Sequence, residues 1–472
     1  MTWEKSIFGV IMIIKVGNNI RIKNPNQSMM KQIWADLVID NPVYIQNERL
    51  GYKNYNVPRL LTFYITDGLD VIVPFGYFRE IWKLHPFKDD YENDFTTMTA
   101  VEYQSGIILY DYQKIALRDV LKAKNGILVM PAGSGKTQTA LEVICQLGMK
   151  TLWITHTVDL LKQSMNRAKD NIKGMGVGTI TNGKINIGTH ITFATVQSLN
   201  RIDLTQYKDT WGVIIIDECH RVCGTPSSAG MFYKVIDKLS ARHKIGLTAT
   251  PERSAKGTEK AMFGLIGPVI CEIDKSVVKT TKASIVKINT KFELDDDCTK
   301  GDGTLDYVQM INSMVYNDDR NYVILKELSG CKDHFNLVLS DRVWHLRELQ
   351  KQLGQGIVID GKMVSKEKRK ERVDALQLMR DGEVRYIFAT YQLAKEGLDI
   401  PNLDRLFLTT PHKDRITIVQ SVGRVERQYK GKVLPLVYDF VDATGIHQNQ
   451  WKLRKTIYKK NGNLVIDEEQ KT

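Results

Sequence analysis

From about residue 110 onward, short and almost wholly apolar runs alternate with longer amphipathic stretches. Gly126 to Met130, Thr151 to Thr155, Ile191 to Thr195, Val213 to Ile216 and Lys244 to Leu247 read as strands buried on both faces. Gln138 to Leu147 and Asp159 to Lys169, set between them, read as helices. A second series follows with Asn336 to Leu339, Gly356 to Ile359, Tyr386 to Ala389, Arg405 to Leu408 and Val433 to Phe440. Strands and helices in alternation predict an α/β fold with two tandem parallel sheets, each covered by helices.

The start of the chain has a different texture. Val10 to Val16, the turn Gly17-Asn18-Asn19 and Ile20 to Lys23 carry a hairpin pattern. A helix near Gln27 to Asp36 and strands near Leu60 to Ile65 and Asp70 to Val73 complete a small α+β region without a metal or catalytic cluster. Between the two α/β series, the acidic cluster Glu293 to Asp297 and the turn Gly301-Asp302-Gly303 read as linker. The expected organisation is a first module over 1–104, an α/β domain over 105–279, a linker over 280–321, and a second α/β domain over 322–472 that ends in a basic segment.

Length and composition narrow the class. A chain of 472 residues exceeds one ordinary core, since domains run to about 100–200 residues. Six scattered cysteines fit a reducing interior, and Cys219 and Cys223 lack a neighbouring Cys or His pair that would complete a zinc site. The apolar run Ile7 to Ile14 is far shorter than the roughly 20 residues a bilayer crossing needs. A cytoplasmic protein without a membrane partner is therefore expected. The net charge is +12, and its distribution is uneven: −1 over 1–105, +11 over 106–290 and +2 over 291–472. That surplus points to a polyanion across the first α/β domain, with a solvated basic surface as the plainer alternative.

The chemistry sits at the ends of the predicted strands. Leu128-Val-Met-Pro-Ala-Gly-Ser-Gly-Lys-Thr137 is an apolar strand running into a glycine-rich turn and a helix. Such a turn cradles nucleotide phosphates: Gly133, Ser134 and Gly135 supply curled backbone amides, Lys136 reaches the β and γ groups, and the Thr137 hydroxyl ligates Mg²⁺. Met130 stands where the general motif has a first glycine. Downstream, Val213-Ile-Ile-Ile-Asp-Glu-Cys-His220 ends a strand in paired carboxylates. Asp217 is suited to hold Mg²⁺, and Glu218 to orient and deprotonate an attacking water. For His220, a structural role competes with one in coupling.

These elements resemble the superfamily 2 helicases and translocases, with Asp-Glu-Cys-His at the place of the DEAD or DEAH box, over roughly residues 105–440. The loop form Ala132-Gly-Ser-Gly-Lys-Thr137 matches that group, which does not require the glycine absent at 130. The resemblance implies two RecA-like domains forming an ATP cleft, with ATP and Mg²⁺ as cofactors. It further implies that Gln113, in Tyr112-Gln113, reads the adenine edge. Thr157 and Gln163 in Ile154 to Gln163, and Thr195, Gln197 and Ser198 in Thr192 to Ser198, then grip one nucleic-acid strand by its phosphates. Thr248 and Thr250, in Leu247-Thr-Ala-Thr-Pro251, couple hydrolysis to strand movement. In the second domain Thr390 contacts the strand, Gly397 and Asp399 the nucleotide, and Gln420 belongs to the coupling set. Gln420-Ser-Val-Gly-Arg-Val-Glu-Arg427 matches the arginine-finger motif, so that Arg424 and Arg427 would offer guanidinium groups to the γ-phosphate.

Asn41-Pro-Val-Tyr44, Arg49-Leu-Gly51 and Val73-Pro-Phe-Gly76 resemble the N-terminal module of phage branched-DNA helicases of the UvsW type, with Phe75 in place of that family's arginine. This implies a monomeric motor on branched, forked or partly single-stranded DNA, with 3′ to 5′ unwinding and branch migration, in DNA repair or recombination. The motor motifs alone leave RNA open, as they do an ATP-gated clamp that hydrolyses ATP without separating strands.

Overall fold

The structure is a computed structural model and describes residues 12–95, 100–131, 133–249, 259–278, 281–294, 298–301, 304–359, 366–396, 398, 400–427, 429 and 431–467. The chain divides into two compact units, Met1–Val277 and Val278–Thr472.

In the first unit an eight-stranded sheet has the order Lys184–Asn186, Val177–Thr181, Ile191–Thr195, Thr151–Thr155, Val213–Asp217, His243–Thr248, Gly126–Val129, Val269–Glu272. Every neighbouring pair is parallel except the edge pair, where Lys184–Asn186 runs antiparallel to Val177–Thr181. The strands Thr151–Thr155, Ile191–Thr195, Val213–Asp217 and His243–Thr248 are buried throughout. Their lack of alternation follows from helices on both faces. The parallel direction brings the carboxyl ends of all these strands to one edge of the sheet, where loops and helix starts collect.

The N-terminal region forms its own five-stranded sheet, in which the hairpin Ile13–Val16 and Asn19–Lys23 pairs antiparallel. It is not a separate body. Ile14, Ile20, Ile33 and Val73 belong to the same apolar cluster as Ile127, Ile214 and Met262 of the larger sheet. Asn19 Nδ2 donates to Asp237 Oδ1 at 3.0 Å, and Asn18 bonds both the Asp237 carbonyl and the Lys244 ammonium. Lys244 is fully buried below Phe75, its ammonium 5.9 Å from the ring centroid, and burial pushes its pKa down to about 8. Phe75, itself half-buried, therefore packs against a buried ammonium and not toward open solvent alone.

The second unit holds a seven-stranded sheet in the order Ile357–Ile359, Tyr386–Thr390, Asn336–Ser340, Arg405–Leu408, Leu436–Asp442, Ser284–Thr290, Val465–Asp467. All of its pairs are parallel. This corrects the linker expected over 280–321. Ser284–Thr290 lies inside the sheet, flanked on both sides, and Tyr307–Tyr316 is a helix. The acidic cluster and glycine turn that suggested a linker follow the strand and do not extend through it. The strand expected from Val433 instead begins at Leu436, because Pro435 has no N–H for the ladder.

Two buried ion pairs fix the Leu436–Asp442 strand. Arg454 clasps Asp439 at 2.7 and 2.8 Å while the Tyr458 hydroxyl donates to the same carboxylate at 2.7 Å. Arg320 Nε donates to Asp442 Oδ1 at 3.0 Å, and Thr290 Oγ1 to the same oxygen at 2.6 Å. Among the described residues no helix is long and apolar enough to cross a membrane.

Candidate active site

The strand Gly126–Val129 ends at Met130, whose amide donates to Thr248 O at 2.9 Å, and the chain then turns through Gly133 and Gly135 into the helix Lys136–Leu147. Both glycines have φ of +79°, a conformation that L side chains rarely adopt. The Ser134 hydroxyl donates to Pro131 O at 2.7 Å and closes the turn. Lys136 Nζ lies 3.2 Å from Met130 O and 3.4 Å from Pro131 O, so the ammonium folds over the loop that carries it. Thr137 is half-buried in the first turn of the helix, beside its positive end.

Gln113 lies behind this loop. It is buried, its Nε2 donates to Ser134 O at 2.9 Å, and its Oε1 accepts from Tyr110 N at 2.9 Å as part of a capping box on the helix Asp111–Ala123. Tyr112 Oη donates to the same Ser134 carbonyl at 3.1 Å. The two residues brace the loop, a function that the adenine-edge expectation had not included. A Cβ added at Gly135 would come within 2.4 Å of Gln113 Nε2, which is how closely the two elements pack.

Two strands away, Asp217 closes Val213–Asp217 and Glu218 follows it in a left-handed conformation, φ +53°. Burial and the neighbouring Glu218 charge push the Asp217 pKa up, against the pull of Lys136. For Glu218, burial works against ionisation, but the hydrogen bond and charge of His220, with Lys136, prevail and hold its pKa down. One proton is thus more easily kept on Asp217 than on Glu218, and a cation at Asp217 would relieve the strain of placing two acids together. Oxygen donors from one carboxylate and one hydroxyl, Asp217 and Thr137, fit Mg²⁺, which commonly takes few protein ligands and completes its shell with phosphate and water.

His220 Nδ1 lies 3.2 Å from Glu218 Oε2 and 3.1 Å from Thr248 Oγ1. Thr248 ends the adjacent strand and is fully buried. Thr250 of the same motif lies outside the described residues, as do Ala132, Gly397 and Asp399.

Three of the threonines expected to grip a nucleic-acid strand occupy one structural position. Thr157, Thr195 and Thr390 each stand just past, or at, the carboxyl end of a parallel strand and start a helix. Their hydroxyls accept from Leu160 N, Ser198 N and Leu393 N, so each side chain caps its helix and satisfies one first-turn amide. Ser198 Oγ receives the Thr195 hydroxyl at 2.9 Å and is itself buried. Gln197 Nε2 donates to His156 O at 2.8 Å, and Gln163 is half-buried along the helix Val158–Asn171.

In the second unit Gln420 and Arg424 lie on the helix Arg415–Val425, with Arg427 just beyond it. Arg424 is buried, its Nε donating to Ala394 O and its Nη1 to Leu398 O, both at 3.0 Å. That guanidinium binds two carbonyls of its own unit, which departs from the γ-phosphate donor expected of it. Arg427 is half-buried, and its carbonyl accepts Lys432 Nζ at 2.8 Å. Lys432, whose pKa burial pushes down to about 8, also reaches Pro401 O and anchors the turn that follows Arg427. Sequence reasoning missed it because one lysine past the motif carries no distinguishing signal.

A phosphate-loop turn, a carboxylate pair at a strand end two strands away and a second parallel α/β unit with an arginine-bearing helix define a nucleoside-triphosphate-hydrolysing motor class. Residues 106–253 match the family Type III restriction enzyme, res subunit, and residues 326–428 match Helicase conserved C-terminal domain. A protein of Acanthamoeba polyphaga mimivirus with the provisional name ATP-dependent RNA helicase L396 is 27% identical over 91% of this chain and 82% of its own length. DNA 3'-5' translocase XPB2 of Sulfurisphaera tokodaii is 28% identical over 68% of this chain and 79% of its own. The solved ATP-dependent Type ISP restriction-modification enzyme LlaBIII, bound to DNA, is similar in fold, with a TM-score of 0.54 at 16% identity over 76% of this chain and 31% of that one. The chain belongs to the superfamily 2 helicases, its α/β units are RecA-like, and it is an ATP-hydrolysing enzyme of that family.

Proposed function

We propose that the protein is a DNA helicase or translocase that uses Mg²⁺-ATP to unwind or branch-migrate forked and junction DNA with 3′ to 5′ polarity. The observation that carries this reading is the convergence at one edge of the first sheet of Lys136, the Asp217–Glu218 pair, the His220–Thr248 contact and the threonine-capped starts at Thr157 and Thr195. Hydrolysis machinery and phosphate-facing helix starts there share one rigid frame, the arrangement a motor needs to convert turnover into strand movement.

In this reading Lys136 leaves the carbonyls of Met130 and Pro131 to meet the β and γ phosphates, and the amides of Gly133 to Gly135 cradle them. Thr137 and Asp217 hold Mg²⁺, which neutralises charge on the transferred phosphoryl group. Glu218 orients the attacking water and takes its proton, and His220 reports the state of Glu218 to Thr248. Arg427, and not the inward-facing Arg424, supplies the second unit's guanidinium. Gly397, Asp399 and Thr250 keep their motif roles in this proposal, as does Gln420 in coupling. The domain limits at 104, 279 and 321 are proposed as functional boundaries only.

DNA is preferred on the similarity to a protein named as a DNA translocase, the basic surplus over 106–290 and the UvsW-type motifs of residues 41–76. The relative named as an RNA helicase favours the second reading, RNA unwinding. Turnover measured with forked DNA, with duplex RNA and without polymer separates the two. Stimulation confined to RNA would overturn the DNA reading, and DNA-stimulated turnover without strand separation would favour a translocase or clamp.

A further inference from the structure

His156 has no part in the chemistry above, yet the sheet delivers it to the same edge. It follows Thr155, the last residue of its strand, and that strand pairs in parallel with Val213–Asp217, with Ile154 opposite Ile216. Continuing the register two residues sets His156 level with Glu218. The residue is 8% exposed, and among the described residues neither ring nitrogen has a hydrogen-bond partner. Arg221 Nε, another buried donor whose charge acts on this ring, likewise lacks one. Burial, with Arg221, lowers the ring's pKa to about 4, so it is a neutral imidazole with one donor and one acceptor. Leaving such groups unanswered is destabilising by roughly 1–3 kcal/mol each, and a buried polar group without a partner calls for a reason.

The backbone of the same residue is held from the other side. Gln197 Nε2 donates to His156 O, and Gln197 lies in the turn that Thr195 caps. The next residue, Thr157, caps the helix Val158–Asn171. His156 therefore stands between the two strand-end segments read as phosphate grips and the carboxylate read as the base.

We propose that His156 is a positioning residue that transmits nucleic-acid binding at Thr155–Thr157 and Thr195–Ser198 to the Glu218 carboxylate. The inference rests on the reading of those segments as strand grips. A strand docking on these segments shifts the backbone around residue 156, and the imidazole N–H then donates to Glu218 and holds it in the orientation for turnover. The ring touches neither ATP nor the strand, and acts through Glu218 alone.

The test uses the full chain at saturating ATP, titrated with forked DNA and with duplex RNA, and compares wild type with His156→Ala, His156→Gln and His156→Phe. His156→Ala should lower the polymer-stimulated kcat by about tenfold or more while ATP KM and the half-saturating polymer concentration move by less than about twofold. His156→Gln, which keeps a donor and an acceptor, should recover part of that loss. His156→Phe fills the space without a nitrogen and should match His156→Ala. Full stimulated kcat in the Phe variant would show that the ring only packs, and would overturn the inference. So would a parallel loss of polymer affinity in the Ala variant. If His156→Ala does not fold, the Phe and Gln pair decides. A wild type indifferent to both polymers overturns this inference together with the motor reading, whereas a response shared equally by wild type and variants overturns this inference alone.

Discussion

His220 Nδ1 stands 3.2 Å from Glu218 Oε2 and 3.1 Å from Thr248 Oγ1, so a single ring joins the strand end that carries the carboxylates to the strand end beside the phosphate loop. Thr248 also receives the Met130 amide through its carbonyl. A displacement at either strand end is therefore felt at the other through two bonds.

Thr248→Val keeps the shape of that side chain and removes its hydroxyl. The expected outcome is strand separation reduced by about tenfold or more with ATP turnover reduced far less, since in the proposed mechanism the lost contact links the two processes and touches neither reactant. Unwinding and phosphate release measured on the same preparation check it; equal losses in both would place Thr248 in hydrolysis itself.

Lys136→Ala should abolish turnover, with a loss of at least about a hundredfold in kcat, because a positioned cation at a developing phosphoryl charge contributes several kcal/mol. The variant should still fold, since Ser134 and Gln113 brace the loop independently. Thermal melting and single-turnover hydrolysis together check this.

Gln113→Ala removes both the brace on Ser134 O and half of the capping box at Tyr110. Loss of the cap should destabilise by roughly 1 kcal/mol, and the slackened loop should raise ATP KM more than it lowers kcat. An unchanged KM would show that the loop keeps its shape without Gln113.

Asp439→Asn should be severely destabilising, by roughly 3–5 kcal/mol, since it leaves the Arg454 guanidinium buried without its counter-charge. Urea unfolding measures the effect. The pair Asp439→Asn with Arg454→Met should recover much of the loss.

Stability should fall between pH 6.5 and pH 4. His345 in the second unit is fully buried between Ser340 Oγ and Asn321 Oδ1, and burial lowers its pKa to about 3; His243 in the first is lowered to about 4 for the same reason. Their folded values lie below the unfolded value of about 6.5, so the unfolded chain binds more protons as pH falls through that window, and acid favours it. Each histidine contributes up to about 2 kcal/mol between pH 7 and pH 5. His345→Gln should flatten the pH dependence of the urea midpoint over that range; a slope equal to wild type would remove His345 from the account.

Much of this molecule is legible before folding because its strands are buried on both faces. Thr151–Thr155, Ile191–Thr195 and Arg405–Leu408 have the limits their apolar runs suggest. The phosphate loop and the carboxylate pair are legible for a related reason: glycines with positive φ and adjacent acids at a strand end have few other uses. Ser284–Thr290 escaped because Lys287 and Asn289 interrupt its apolar pattern and acidic residues follow at once. The shared core of the N-terminal region and the first motor sheet escaped because Lys244, a residue usually on the surface, is what the interface encloses. Arg424 escaped because sequence spacing does not say whether a guanidinium points outward or into its own helix pair.

The φ of +53° at Glu218 puts a carboxylate where the backbone would sooner have a glycine or an asparagine. That preference has a consequence for descent. Replacement by glycine or asparagine should relax the backbone here while it removes the residue proposed as the base. Related chains with either residue after the aspartate should prove to be well-folded binders that have ceased to hydrolyse.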